Sequence, residues 1–180
     1  MGDCLWGTPG IRALKKSFPS VEIDLLIQPQ WQDLYHDNPH IRRLIPYYPQ
    51  WYRQFVPLPR LLRAHYDHAL IFHANKDIGR LIPWLRCSSI WAHQKISNVL
   101  PGRCLQFTQA THPILRRAAI LKKIGVPLDG VQMDIFFKDT DLTESRNFLK
   151  QHQIDPKKFI YLNAGASLPH KRWPTDRAIL

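Results

Sequence analysis

Cysteine is scarce in this chain. Cys4, Cys87 and Cys104 are widely spaced among 180 residues, with no CxxC pair. Neither a disulfide framework nor a zinc knuckle is encoded, and a reducing compartment is the expected home. Long apolar runs are missing too: none approaches the roughly 18 residues that a membrane span needs. Arg12, Lys15 and Lys16 interrupt the N-terminus before a signal-peptide core can form. Acidic residues are few, 14 against 25 Lys and Arg, which leaves a net charge of +11. That excess favours an anionic partner: nucleic acid, a phosphorylated glycolipid, a nucleotide or a membrane surface. The nine histidines are scattered, with no HExxH and no paired Cys and His spacing, so no metal site is expected.

What is present is enough for a folded core. With 44% hydrophobic and 11% aromatic residues over this length, the chain accommodates one domain, or one domain and part of another. Thr8 is placed to cap a helix with Pro9 at its first position, and Ile11, Leu14 and Phe18 then recur on one face. A β-rich run follows from Val21 to Ile27, and a second extended piece from Leu44 to Tyr47. Pro49, Pro57 and Pro59 forbid a regular helix between Tyr48 and Arg60. His68 to His73 reads as a buried strand, and Asp77 to Arg86 as a helix made imperfect by Pro83. Ser88 to Trp91 reads as a further strand. Thr111 to Ile124 is the clearest helix, stopped by Gly125 and Pro127. Asp141 with Glu144 resembles a capping box ahead of Phe148 and Leu149, and Phe159 to Leu162 returns to strand. This alternation predicts an α/β fold with a parallel, doubly wound sheet.

Two stretches carry candidate chemistry. In the first, Gly2 and Asp3 form an opening loop ahead of the Thr8 helix. Ligands of open α/β sheets sit beyond the carboxyl ends of the strands, so a carboxylate in this loop is a candidate general base for a sugar hydroxyl. In the second, Asn163, Ala164, Gly165, Ala166 and Ser167 run through Lys171 and Arg172 to Trp173 and Pro174. A strand entering such a loop, followed by a helix, is suited to an anion: Lys171 supplies a point charge, Ser167 a hydroxyl, and the backbone around Gly165 its amides. Lys76 and Arg80, after the His68 to His73 strand, are candidates for holding an anionic acceptor. Each residue also has a plain reading as a solvated loop or helix-face side chain.

Together these stretches resemble the glycosyltransferase family 9 heptosyltransferases. The matching pieces are Gly2, Asp3, Thr8 and Pro9 with the Ile11 to Pro19 helix, Tyr66 and Asp67 leading into Ala69 to His73, His112 with the Leu115 to Gly125 helix, and Asn163 to Ser167 followed by Lys171 to Pro174. The resemblance implies the N-terminal half of a GT-B architecture: residues 1–152 as a Rossmann-like acceptor-side domain, and 153–180 as the start of a nucleotide-sugar-binding domain. It implies inverting, metal-independent transfer of heptose from an ADP-activated donor to the anionic, Kdo-bearing inner core of lipopolysaccharide, without a cofactor. By position Asp3 resembles the general base, Lys171 the cation on the donor diphosphate and Ser167 a hydroxyl of the same loop. The implied location is cytoplasmic, with peripheral contact at the inner face of the bacterial inner membrane.

Against the family pattern, a strand is expected before Gly2 and most of a second domain after Leu180, so the chain reads as truncated at both ends. On its own it is expected to be an inactive fragment. The competing reading is a non-enzymatic α/β domain that binds polyanions through charge. It lacks any RNP, KH, helix-turn-helix or zinc-finger pattern, so no specific nucleic-acid partner is expected. Binding that collapses steeply with salt would favour it.

Overall fold

A computed structural model describes residues 2–53, 55, 58–107, 111–160, 165–166 and 169–174. The chain divides into two compact units, Met1–Phe136 and Phe137–Leu180.

The first unit opens in a single helical turn, α1 (Gly2–Leu5), where a loop was expected. The ten-residue helix α2 (Thr8–Ser17) follows, one residue earlier than the capping pattern suggests: Gly7 is the N-cap, and Thr8 and Pro9 occupy the first two helical positions. Proline is harmless there, because first-turn amides have no helical acceptor to lose. Thr8 is freed for another task. Its buried hydroxyl donates to the Leu5 carbonyl at 2.9 Å and accepts from the Asp134 amide at 2.9 Å. Of the expected face Ile11 is buried and Leu14 half-buried, but Phe18 lies beyond the last helical residue and is exposed.

Strand β1 (Asp24–Ile27) pairs in parallel with β2 (Arg43–Pro46), in a register from Asp24↔Arg43 to Ile27↔Pro46. Both are short, and β2 ends at a proline, which has no amide to extend a ladder. The connection between them contains a 3-10 helix, Pro29–Tyr35, that the hydrophobic pattern does not announce. The proline-rich segment holds a 3-10 turn, Trp51–Arg53, and a short helix, α3 (Leu58–Arg63).

Strand β3 (Tyr66–Ile71) pairs in parallel with β4 (Cys87–Ala92). Between them lies α4 (Lys76–Leu81), capped by the Asn75 side chain, whose oxygen accepts from the amides of Asp77 and Ile78 at 3.0 and 2.8 Å. Pro83 tightens its end into a 3-10 turn, Ile82–Trp84. Helix α5 (Pro113–Lys122) starts two residues later than expected, because Pro113 places His112 at the cap, where its ring nitrogen accepts from the Ile114 amide. Gly125 takes a positive φ of 76° just after α5, a conformation glycine adopts without the steric cost that a Cβ brings.

The α/β class with parallel strands is therefore as expected. Among the described residues the strands form two separate pairs rather than one continuous ladder. Helix α2 packs against both. Its Ile11 meets Ile27 and Leu25 of β1, while Ala13 and Leu14 join Leu121 of α5 with Leu70 and Phe72 at β3. The Tyr66 hydroxyl at the head of β3 donates to the Asp24 carboxylate at the head of β1, at 2.9 Å. Arg12 ties α2 to the later chain through Asp129, Asp134 and the Gln132 carbonyl.

The second unit is described by α6 (Asp139–Gln151) and a 3-10 turn, Pro169–Lys171. Lys138 is the N-cap of α6, and Asp141 sits at the third helical position. Its carboxylate accepts from the Lys138 amide at 3.0 Å. Asp141 thus supplies the returning half of a capping box and does not begin the helix. No residue of α6 is buried. Phe159 and Ile160 carry no strand, and the remainder of that expected element falls outside the described residues.

Candidate functional site

Asp3 stands on α1 with 61% of its side chain exposed. Its charge acts on Cys4 beside it and on Arg117 of α5, and Arg117 in turn lies over the rings of Trp6 and of Phe72 just past β3 and acts on His93 just past β4. Phe72 and His93 follow the carboxyl ends of β3 and β4, the side of a parallel sheet where open α/β folds place their ligands. A four-residue turn has no stability of its own, so neighbouring side chains must hold α1. Tyr35 donates from its buried hydroxyl to the Cys4 carbonyl. Arg117 donates from Nη2 to the Asp3 carbonyl at 3.1 Å, and the same nitrogen lies 3.9 Å from the Asp3 carboxylate. Trp6 meets the His112 ring edge to face at 5.9 Å between centroids.

The electrostatics of the corner are positive and partly dry. Burial pushes the Cys4 thiol up, with Asp3 adding to the effect and Arg117 opposing it, which disfavours the thiolate. Burial, followed by the charges of Arg117, His73 and Arg116, pushes His93 down against a raising contact with the Ile71 carbonyl, so His93 favours its neutral form. Burial likewise drives the Tyr35 hydroxyl well above its usual range, which keeps it a donor. An exposed carboxylate on a turn held by its neighbours is suited to accept a proton from a hydroxyl.

The other sequence candidates are placed as follows. Lys76 and Arg80 are exposed on α4, and Arg80 forms an ion pair with Asp77 at 3.2 Å, so part of its charge is already engaged. Lys171 is exposed at the end of the Pro169–Lys171 turn, beside Arg172, whose Nε donates to the Ala166 carbonyl at 2.8 Å. Ser167 lies outside the described residues, as do Asn163 and Ala164. Asp3 belongs to the first compact unit and Lys171 to the second.

Sequence reasoning passed over Arg117 and Tyr35. A signal for Arg117 was present: it falls on the same stripe as Ile114, Ala118 and Leu121, all buried, so a charge sits on the apolar face of α5. Among the described residues no three His, Cys, Asp or Glu side chains group to hold a metal ion, and no helix is long and apolar enough to cross a membrane.

No protein-family model and no curated protein sequence matches the chain. Solved structures do resemble it. A glycosyl transferase family 9 protein from Veillonella parvula superposes with a TM-score of 0.81 at 20% identity, over 99% of this chain and 55% of that one. The E. coli heptosyltransferase WaaC, solved with ADP, superposes with a TM-score of 0.60 at 16% identity, over 74% of this chain and 47% of that one. The chain thus has the parallel α/β fold of about half the length of these two glycosyltransferases.

Proposed function

We propose that the chain is part of a glycosyltransferase of the heptosyltransferase type, which moves heptose from an ADP-activated donor to the anionic inner core of lipopolysaccharide. The observation that carries this reading is the Asp3 carboxylate, left exposed beside Arg117 of α5 in a fold shared with a family 9 glycosyl transferase. In the proposed reaction Asp3 takes the proton of the acceptor hydroxyl as its oxygen attacks the anomeric carbon. The bond to the ADP leaving group breaks on the opposite face, so the configuration inverts. General-base assistance of this kind contributes about 10² to 10⁴ in rate.

Lys171, with Ser167, stabilises the charge that develops on the departing diphosphate. The exposed position of Lys171 supports that role, and the ADP held by the WaaC structure supports a nucleotide donor. The functional division, with 1–152 on the acceptor side and 153–180 opening the donor side, belongs to the same proposal. So do the acceptor contacts from Lys76 and Arg80 and a location at the cytoplasmic face of the inner membrane.

Calorimetry with ADP and an ADP-activated heptose, in a two-domain form that binds donor, tests the donor side. Lys171→Ala is expected to weaken binding about tenfold or more, since a charge-assisted contact to phosphate is lost. Unchanged affinity removes Lys171 from the proposal.

A further inference from the structure

Arg117 presents a problem that the reaction above does not answer. Only 6% of its side chain is exposed, yet no carboxylate pairs with it closely. Nη1 donates to the Pro113 carbonyl of its own helix at 3.0 Å, Nη2 to the Asp3 carbonyl at 3.1 Å, and Nε has no hydrogen-bond partner among the described residues. The guanidinium lies over the rings of Trp6 and Phe72, 5.8 and 5.9 Å from their centroids. Burying a cation in this way is costly, and an apolar side chain of similar volume often serves stability as well or better. Core packing alone does not call for an arginine here.

What the arginine reaches is the main chain of α1. Two consecutive carbonyls of that turn, Asp3 and Cys4, are held from different elements: the first by Arg117 on α5, the second by Tyr35 on the 3-10 helix. The Asp3 carboxylate is not what Arg117 grips, since it stands 3.9 Å away and mostly in solvent. We propose that Arg117 is the positioning residue for Asp3, fixing its backbone from α5 while leaving its carboxylate free to take the acceptor proton. The functional half of this statement rests on the reading of Asp3 given above; the grip itself does not.

Residue-resolved hydrogen exchange on the 180-residue chain separates the two. The reporters are the amides of Trp6 and Gly7, bonded within the turn to the carbonyls of Gly2 and Cys4. Arg117→Met is expected to speed their exchange about tenfold or more while the amides of Ile120 and Leu121 in α5 stay near wild-type rates, the pattern of a local opening. Arg117→Lys, which keeps the cation without the fork, is expected to fall between the two. It also serves as the readout should the methionine variant not fold. Asp3→Ala is expected to leave the turn protected, because the grip is on the main chain. Wild-type exchange at Trp6 and Gly7 in the Arg117 variants overturns the proposal. So does acceleration spread equally through α5, which makes Arg117 a general core residue. Neither result bears on whether Asp3 is the base, which only transfer measurements address.

Discussion

Asp24 and Asp3 both lie beside arginine in the first unit, and their settings are opposite. Asp24 has 2% of its side chain exposed and receives Arg42 at 2.7 and 2.8 Å, Arg43 at 2.6 and 3.2 Å, and the Tyr66 hydroxyl at 2.9 Å. Burial alone would raise its pKa, but the donors from Arg42, Arg43 and Tyr66 outweigh that and hold the carboxyl well below the usual carboxylate range. Its partner Tyr66 is pushed up to about 12, by burial and then by Asp24. Asp3 is mostly exposed and 3.9 Å from its arginine, which spends its donors on backbone carbonyls. A carboxylate saturated with donors is a tether between β1, β2 and β3. One whose backbone is fixed and whose oxygens are open is equipped to take a proton.

The comparison is tested most strongly by removing each carboxylate and measuring unfolding by urea. Asp24→Ala is expected to destabilise the chain by about 2 kcal/mol, the scale of hydrogen bonds to a charged group, discounted because Arg42 and Arg43 are partly solvated. Asp3→Ala is expected to stay within about 0.5 kcal/mol of wild type. Equal losses would make the two aspartates equivalent supports and end the distinction.

A smaller effect should appear with pH. Asp24 has a folded-state pKa below its unfolded value of 3.8, so the unfolded chain takes up the proton first. Its stabilisation is complete above that value and fades as pH falls through it. The wild type should therefore lose stability below about pH 4 more steeply than Asp24→Asn. His93 adds a weaker slope nearer neutrality. Its pKa is lowered from 6.5 on folding, so its contribution is present above that pH and declines below it, and His93→Gln should flatten the decline. Parallel curves for wild type and both variants would sink these assignments.

The sequence shows local structure better than it shows the supports of the site. Helices α2 and α5 are legible because Pro9, Pro113 and Gly125 mark their ends and because Ile11 and Leu14, and Ile114, Ala118 and Leu121, recur at helical spacing. The strands are legible to within a few residues from their β-branched and aliphatic runs. The turn α1, the 3-10 helix at Pro29–Tyr35 and the Asp24 cluster are not, since each depends on partners far along the chain: Arg117 lies 114 positions from Asp3, and Tyr66 lies 42 from Asp24. Asp3 is legible as a carboxylate ahead of a helix start in an α/β pattern. No local pattern could reveal that α5 grips its backbone.

The most direct test of Asp3 as the base is heptose transfer from the ADP-activated donor to a Kdo-bearing core acceptor, measured in a two-domain form that turns over, with donor affinity recorded in parallel. Asp3→Asn should cut transfer by about 10² to 10⁴ while donor affinity stays near wild type. Transfer that survives the substitution at wild-type rate would contradict the account.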